Sequence, residues 1–288
     1  MKKFVLGVAV VLGLILVLQW VRLDSLDPTR AVRGMRIISL APNLTGLLFD
    51  LGVGGHVVAV TTYCDYPPEA LKREKIGDFI NPNFEKIVRL KPDLVFAEEW
   101  SSSKTVPRLK QLGVHVEEVP TPRSLHEIYR LIERVGDLTG QSLEAEVLIQ
   151  NMQERVAKIE ARARRFPTHP RLYLEIDRPS WTVGGSSFTN QAIELCGARN
   201  IFSDLARPAP QVSEEAIIER NPDIIISFAS STAEIRRRGG WNRIGAVQSG
   251  RIIDDFNPDL LSRGNHRLVE GMEALQTRIE LLMGFGRE

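Results

Sequence analysis

The amino-acid sequence predicts an α/β protein built as two parallel-sheet lobes on either side of one long helix. Three observations lead there. Short β-branched runs alternate with amphipathic stretches over residues 36–139, and the alternation restarts at 171. Between the two blocks, residues 142–165 run 24 positions without Gly or Pro. One helix-then-strand segment also recurs 130 positions further on. The organisation reads as 1–35 for an N-terminal hydrophobic helix and linker, 36–140 for the first lobe, 141–168 for the connecting helix and 169–288 for the second lobe. A chain of 288 residues suits two domains at about 100–200 residues each.

In the first block, strands are expected at 36–40, 56–61, 94–97 and 114–119. Helices are expected at 43–51, 84–90, 104–112 and 125–139, with Gly52 and Gly113 closing two of them. The middle segment is rich in Glu, Ala, Arg and Gln, and Val147, Ile149, Met152, Val156 and Ile159 recur at helical spacing. Ser142 is placed to cap it, Pro167 and Pro170 end it, and its length is about 36 Å at 1.5 Å per residue. In the second block, strands are expected at 171–176, 224–228 and 251–254. Helices are expected at 190–195, 214–220 and, as the closing element, 263–283.

The repeat makes the two blocks equivalent. Glu85-Lys-Ile-Val-Arg-Leu-Lys-Pro-Asp93 leads into Leu94-Val-Phe96, and Glu215-Ala-Ile-Ile-Glu-Arg-Asn-Pro-Asp223 leads into Ile224-Ile-Ile226, without a gap. In both, a helix ends at Pro-Asp and feeds an apolar strand. Glu85 and Glu215 are also first-turn acids of the kind a helix dipole favours.

At the N-terminus, Lys2 and Lys3 precede an uncharged run, residues 4–21, at the short end of the roughly 17–25 residues that span a bilayer. Lysines ahead of such a run favour a cytoplasmic N-terminus and export of the rest. The run is longer than an ordinary signal-peptide core, no small-x-small cleavage site closely follows it, and no Cys nearby offers a lipidation site. The expectation is a periplasmic or extracytoplasmic protein held on the cytoplasmic membrane by residues 4–21, with a cleaved signal peptide as the alternative. Cys64 and Cys196 fall in different halves, where a bridge would staple the lobes together, so both read as free thiols.

The composition excludes several classes. The formal net charge is +1, with 37 basic and 36 acidic residues and no basic stripe interleaved with aromatics, so nothing points to nucleic acid. The five histidines are scattered, with no Cys or acidic cluster at zinc spacing, so no metal site is expected. Gly184-Gly-Ser-Ser-Phe188 lacks the second glycine of a nucleophile elbow. Gly52-Val-Gly-Gly55 follows a helix and precedes a strand, the wrong context for a dinucleotide loop. No catalytic residues are assigned. A two-lobed exported protein without catalytic motifs is expected to bind a ligand between its lobes. Tyr63, Tyr66, Phe79, Trp100 and Trp181 follow predicted strands and are candidates for the lining; ordinary core packing is the alternative for each.

The residues carry a family resemblance. Tyr63-Cys-Asp-Tyr-Pro-Pro68, Gly77-Asp-Phe79 and Asn83-Phe-Glu-Lys-Ile-Val-Arg-Leu-Lys-Pro-Asp-Leu-Val95 resemble the first lobe of cobalamin-binding periplasmic proteins. Cys196-Gly-Ala-Arg-Asn-Ile-Phe202 and Pro210-Gln-Val-Ser-Glu-Glu215 resemble their second lobe. Trp241-Asn-Arg-Ile-Gly-Ala-Val-Gln-Ser-Gly-Arg-Ile252 is similar to the wider family, which also takes ferric siderophores and haem. The match spans about residues 36–285.

The resemblance implies two Rossmann-like lobes joined by a rigid helix, no enzymatic activity and no cofactor. It implies a corrinoid such as cobalamin as ligand, and delivery to an ABC permease and its ATPase. It assigns ligand binding to Tyr63, Phe79, Trp100, Trp181, Asp259 and Arg263, and permease docking to Glu85 and Glu215. This sequence departs from the pattern at Ala209, where a pocket aromatic is usual, at Gly46 in place of a glutamate, and at Gln276 in place of the cysteine that would partner Cys196. Alternatives are a ferric siderophore or haem, with Arg178, Arg207 and Arg263 facing an anionic chelate and Tyr63 as an axial ligand. An exported α/β enzyme is a further alternative.

Overall fold

The computed structural model describes residues 34–78, 80–99 and 104–285. The hydrophobic run at 4–21 lies outside these residues. Among the described residues, no helix is long and apolar enough to cross a membrane.

Five strands form the first sheet: β1 (Ile37–Ser39), β2 (Val57–Val60), β3 (Glu74–Lys75), β4 (Leu94–Glu98) and β5 (Val116–Val119), in spatial order β3-β2-β1-β4-β5 and parallel throughout. Buried Ile37, Ile38, Val57, Ala59 and Val95 make these strands apolar on both faces, as parallel strands covered on both sides require. Helices α1 (Pro42–Asp50), α2 (Phe84–Arg89), α3 (Thr105–Gln111) and α4 (Leu125–Leu138) connect or follow them.

The connecting helix α5 (Ser142–Ala163) buries Ala145, Met152, Val156, Ile159 and Ala163 along one face. Its cap is Gln141, not Ser142: the Ser142 hydroxyl instead donates to Asp137 Oδ1 at 2.7 Å, tying the start of α5 to the end of α4.

The second sheet contains β6 (Arg171–Asp177), β7 (Trp181–Thr182), β8 (Arg199–Asn200), β9 (Ile224–Ser227) and β10 (Ile252–Ile253). Its path is β10-β9-β6-β7, with β8 pairing the start of β6 and β7 its end. One strand corrects the expectation of a wholly parallel sheet: β7 is antiparallel to β6, because the chain reverses within Arg178, Pro179 and Ser180, too few residues for a crossover. The remaining helices are α6 (Phe188–Leu195), α7 (Glu214–Arg220), α8 (Thr232–Arg237), α9 (Gly245–Ser249), α10 (Asp259–Ser262) and α11 (Leu268–Met283).

The closing helix expected from 263 starts only at Leu268, and the short helix α10 precedes it. The chain leaves helical geometry between Arg263 and Arg267, where Gly264 packs so closely that a Cβ would lie 2.7 Å from Pro122 and 3.1 Å from Phe188.

Helices α4, α6 and α11 pack on α5, and one apolar core runs from Ile37 in β1 to Ile279 in α11. Helices α5 and α11 are stitched in parallel register: Arg155 donates twice to Glu273 at 2.9 and 2.7 Å, Gln276 donates to the Ile159 carbonyl at 2.8 Å, and Arg162 pairs with Glu280.

The repeated segments have the same structure. Lys91 and Asn221 are left-handed, at φ 47° and 41°, each one residue ahead of the Pro-Asp pair. Asp93 then exchanges bonds with Arg36: its carboxylate accepts from the Arg36 amide at 2.7 Å, and its own amide donates to the Arg36 carbonyl at 2.9 Å. Asp223 does the same with Arg171, at 2.8 and 2.7 Å. Each Asp thus ties the strand after its helix to the start of the central strand of its sheet.

Candidate ligand-binding site

In open parallel sheets, ligands bind outside the carboxyl ends of the strands. The loop after β2 carries Tyr63, 56% exposed. That loop is organised from below. Lys75 on β3 donates to the carbonyls of Thr61, Cys64 and Ala70 at 3.3, 2.9 and 3.4 Å. The buried Cys64 thiol accepts from Thr45 Oγ1 at 3.0 Å and shares a hydrogen bond with Thr61 at 3.1 Å. Tyr66 packs against Arg267, whose guanidinium lies 3.8 Å from the ring centre.

In the second half, Trp181 is 38% exposed and opens β7 rather than sitting in a loose turn. Bonds hold it on both sides. Thr182 donates from its hydroxyl to the Leu174 carbonyl at 2.7 Å and from its amide to the Pro210 carbonyl at 3.0 Å, and the Val212 amide donates to the Ser180 carbonyl at 3.1 Å. Gly184 and Gly185 are demanded by crowding: a Cβ there would lie 2.0 Å from the Arg207 carbonyl oxygen and 2.1 Å from that of Ser203.

Beneath this segment lies a buried ion pair. Arg238 donates to both Glu175 oxygens at 2.7 and 3.0 Å, with side-chain exposures of 7% and 1%. Ser227 donates to Glu175 at 2.7 Å, and Arg238 lies 4.5 Å over the Trp241 ring.

The structure brings Asp259 and Arg263 together and adds a partner that sequence reasoning missed. Arg263 Nη1 donates to Asp65 Oδ1 at 2.7 Å, across 198 positions, while Nη2 lies 2.9 Å from Asp259 Oδ2. Hydrogen bonding to Arg263 holds the Asp65 carboxyl below its usual range. Burial pushes Asp259 upward, against the opposing pull of Arg263. The adjoining residues continue this seam between the halves. Asn265 donates to the Asn43 carbonyl at 3.4 Å, and His266 meets Asp50 at 2.5 Å. The Tyr63-Cys-Asp-Tyr motif contained Asp65, but only the folded chain shows where Arg263 reaches.

Phe79 and Trp100 lie outside the described residues. A groove of about 540 Å³ runs between the ends of β4 and β5 and helix α4. Its wall includes Glu99, next to Trp100, and Pro122, which abuts Gly264 of the second half. Neither Tyr63 nor Trp181 lines this groove.

Glu85 and Glu215 occupy the same position, two residues after a capping side chain. Asn83 accepts from the Lys86 amide at 2.9 Å and Ser213 from the Ala216 amide at 3.2 Å. Both glutamates are exposed. Glu214, beside Glu215, accepts from the Trp241 indole N–H at 3.2 Å.

A family model described as periplasmic binding protein matches residues 37–257. The chain belongs to the periplasmic binding protein family. The family binds solutes and does not transform them, so this binding protein is not an enzyme. It is 36% identical to the "uncharacterized ABC transporter substrate-binding lipoprotein YvrC" of Bacillus subtilis, over 88% of this chain and 82% of the relative. It is 29% identical to the vitamin B12-binding protein of Vibrio cholerae, over 85% and 89%. A solved structure from Staphylococcus epidermidis, described as a possible iron-binding periplasmic solute-binding protein, aligns with a TM-score of 0.75 at 34% identity, over 85% of this chain and 98% of that one.

Two departures from the family pattern have structural reasons in this binding protein. A side chain at Gly46 would begin 3.0 Å from the Tyr66 ring. Gln276 uses the space of a second cysteine to bond α5, so Cys196 is a buried free thiol that donates to the Met272 carbonyl at 3.2 Å. Burial pushes the Cys196 thiol far above its usual pKa.

Proposed function

We propose that this protein is the substrate-binding component of an ABC importer and that it takes a cobalamin-like corrinoid between lobes 36–140 and 169–288, with 141–168 as a stiff connector. One exposed aromatic from each half carries the reading: Tyr63 after β2 and Trp181 after β6. Tyr63 lies in a segment that resembles vitamin B12-binding proteins, and the resemblance assigns both residues to the pocket. A flat corrin ring suits aromatic walls, and its amide side chains suit polar anchors such as Asp259 and Arg263. Phe79 and Trp100 complete the lining in this reading. Glu85 and Glu215 dock on the permease; two exposed charges at matched positions fix orientation in a transient complex. The protein works outside the cytoplasmic membrane, held there by residues 4–21.

A ferric chelate or haem is the second reading, favoured by the similarity to the possible iron-binding protein of S. epidermidis. Titration of tryptophan fluorescence and ligand absorbance with cyanocobalamin, haem and a ferric siderophore separates the two. The corrinoid reading requires saturable binding of cyanocobalamin that outcompetes the other two; preference for an iron ligand refutes it.

A further inference from the structure

We propose that Asp65 is a specificity-determining residue that neutralises Arg263 and so makes the site select against anionic ligands. This rests on the reading that the ligand enters between the two halves. Arg263 bridges the halves, and each of its terminal nitrogens holds a carboxylate: Nη1 meets Asp65 at 2.7 Å and Nη2 meets Asp259 at 2.9 Å. The group of three carries one positive and two negative charges.

The two carboxylates are not equivalent. Asp259 is one helical turn from Arg263 in the same segment, so that contact is local. Asp65 comes from the other half, on a loop pinned by Lys75 and by the Tyr66–Arg267 contact. Its side chain is 54% exposed while that of Arg263 is only 18% exposed. An incoming ligand therefore meets the Asp65 carboxylate before the guanidinium.

For an anionic ligand the consequences are unfavourable. Its carboxylate would face two carboxylates around a single guanidinium, each already holding one of the terminal nitrogens. Such placement discriminates by repulsion as well as by attraction. A ligand without net charge meets no such repulsion. The other cation joining the halves, Arg267, is stacked on Tyr66 and paired with Glu270 at 3.1 Å. Lys75 is spent on backbone carbonyls, and Arg178 and Arg207 are exposed on loops of the second half. Removing the Asp65 charge while keeping its shape frees Nη1 of Arg263 for a charge-assisted hydrogen bond to an anion.

The test compares wild type, Asp65→Asn, and Asp65→Asn combined with Arg263→Gln, using haem as a dicarboxylate probe and cyanocobalamin as a probe neutral overall. Dissociation constants are measured at low and high salt, with thermal melts to verify folding. Asp65→Asn is expected to tighten haem binding at least tenfold, about 1.4 kcal/mol, with a smaller gain at high salt and less than a threefold change for cyanocobalamin. The double variant is expected to lose the gain. Unchanged haem binding, including none detectable in either protein, overturns the proposal, as does a gain that survives without Arg263 or a parallel weakening of both probes. If the wild type prefers haem to cyanocobalamin, the corrinoid reading fails. The role of Asp65 is then still decided by the haem ratio of variant to wild type.

Discussion

Asp93 and Asp223 do the same work in opposite halves of the molecule: each clamps the residue that leads into the central strand, Arg36 or Arg171, through its own amide and its carboxylate. Hydrogen bonds to charged groups contribute about 1.5–3 kcal/mol, toward the low end or below where solvent competes. Asp93→Ala and Asp223→Ala should each lower stability by about 1 kcal/mol and add together, because they act on separate sheets. Urea denaturation of the single and double variants checks this. Strong coupling between them would show that the two sheets do not rest on independent clamps.

Trp181 provides the sharpest probe of the proposed pocket. A core Trp replaced by Ala costs about 3–5 kcal/mol, but 38% exposure places this side chain short of the core. Trp181→Ala should keep a near-native melting temperature and weaken corrinoid binding at least tenfold, about 1.4 kcal/mol. Paired calorimetry and titration measure both. A large drop in melting temperature with binding intact would mark the indole as packing.

The Glu175–Arg238 pair should behave as a buried salt bridge. Arg238→Met leaves a nearly inaccessible carboxylate with Ser227 as its remaining side-chain donor. Breaking such a pair costs about 3–5 kcal/mol. Adding Glu175→Gln to Arg238→Met should recover part of that loss, since the stranded charge is then gone. A denaturation series on the two variants reads the recovery, and its absence would mean the cost comes from lost packing on Trp241.

Glu85→Ala with Glu215→Ala should leave both stability and ligand affinity nearly unchanged, because neither carboxylate forms a salt bridge among the described residues and exposed charges contribute about 0–1 kcal/mol. Uptake of radiolabelled cobalamin by cells should fall. Loss of ligand binding by the folded double variant would assign these glutamates to the pocket.

Acid should weaken the fold through paired carboxylates. Asp65 is held below its usual range by Arg263, and Glu273 by Arg155. A depressed folded pKa contributes stability above the unfolded value, near pH ~4, and loses it as pH falls through the folded value. Asp259 runs the other way. Burial raises its pKa, so its contribution is fullest below the unfolded value and fades as pH rises through the folded one. Urea midpoints at pH 7, 4 and 3 should therefore decline for the wild type and decline less for Glu273→Gln. Equal slopes for the two proteins would remove Arg155–Glu273 from the account.

The sequence by itself determined the α/β class, the long middle helix and the repeat, because these are local: apolar periodicity, a Gly- and Pro-free stretch and Pro-Asp at matched spacing act through near neighbours. It also picked out Glu85 and Glu215 as equivalent positions and Tyr63 and Trp181 as residues following strands. What it misplaced was set by distant contacts. The closing helix starts at Leu268 rather than 263, beyond the point where Gly264 packs against Pro122 and Phe188. The β7 strand turns antiparallel because three residues permit only a reversal. The Asp65–Arg263 bridge, which joins positions 198 apart, was decided by tertiary structure alone. Periodicity reports which face of an element is apolar; which charged tip meets which partner depends on how two sheets are set against one shared helical core.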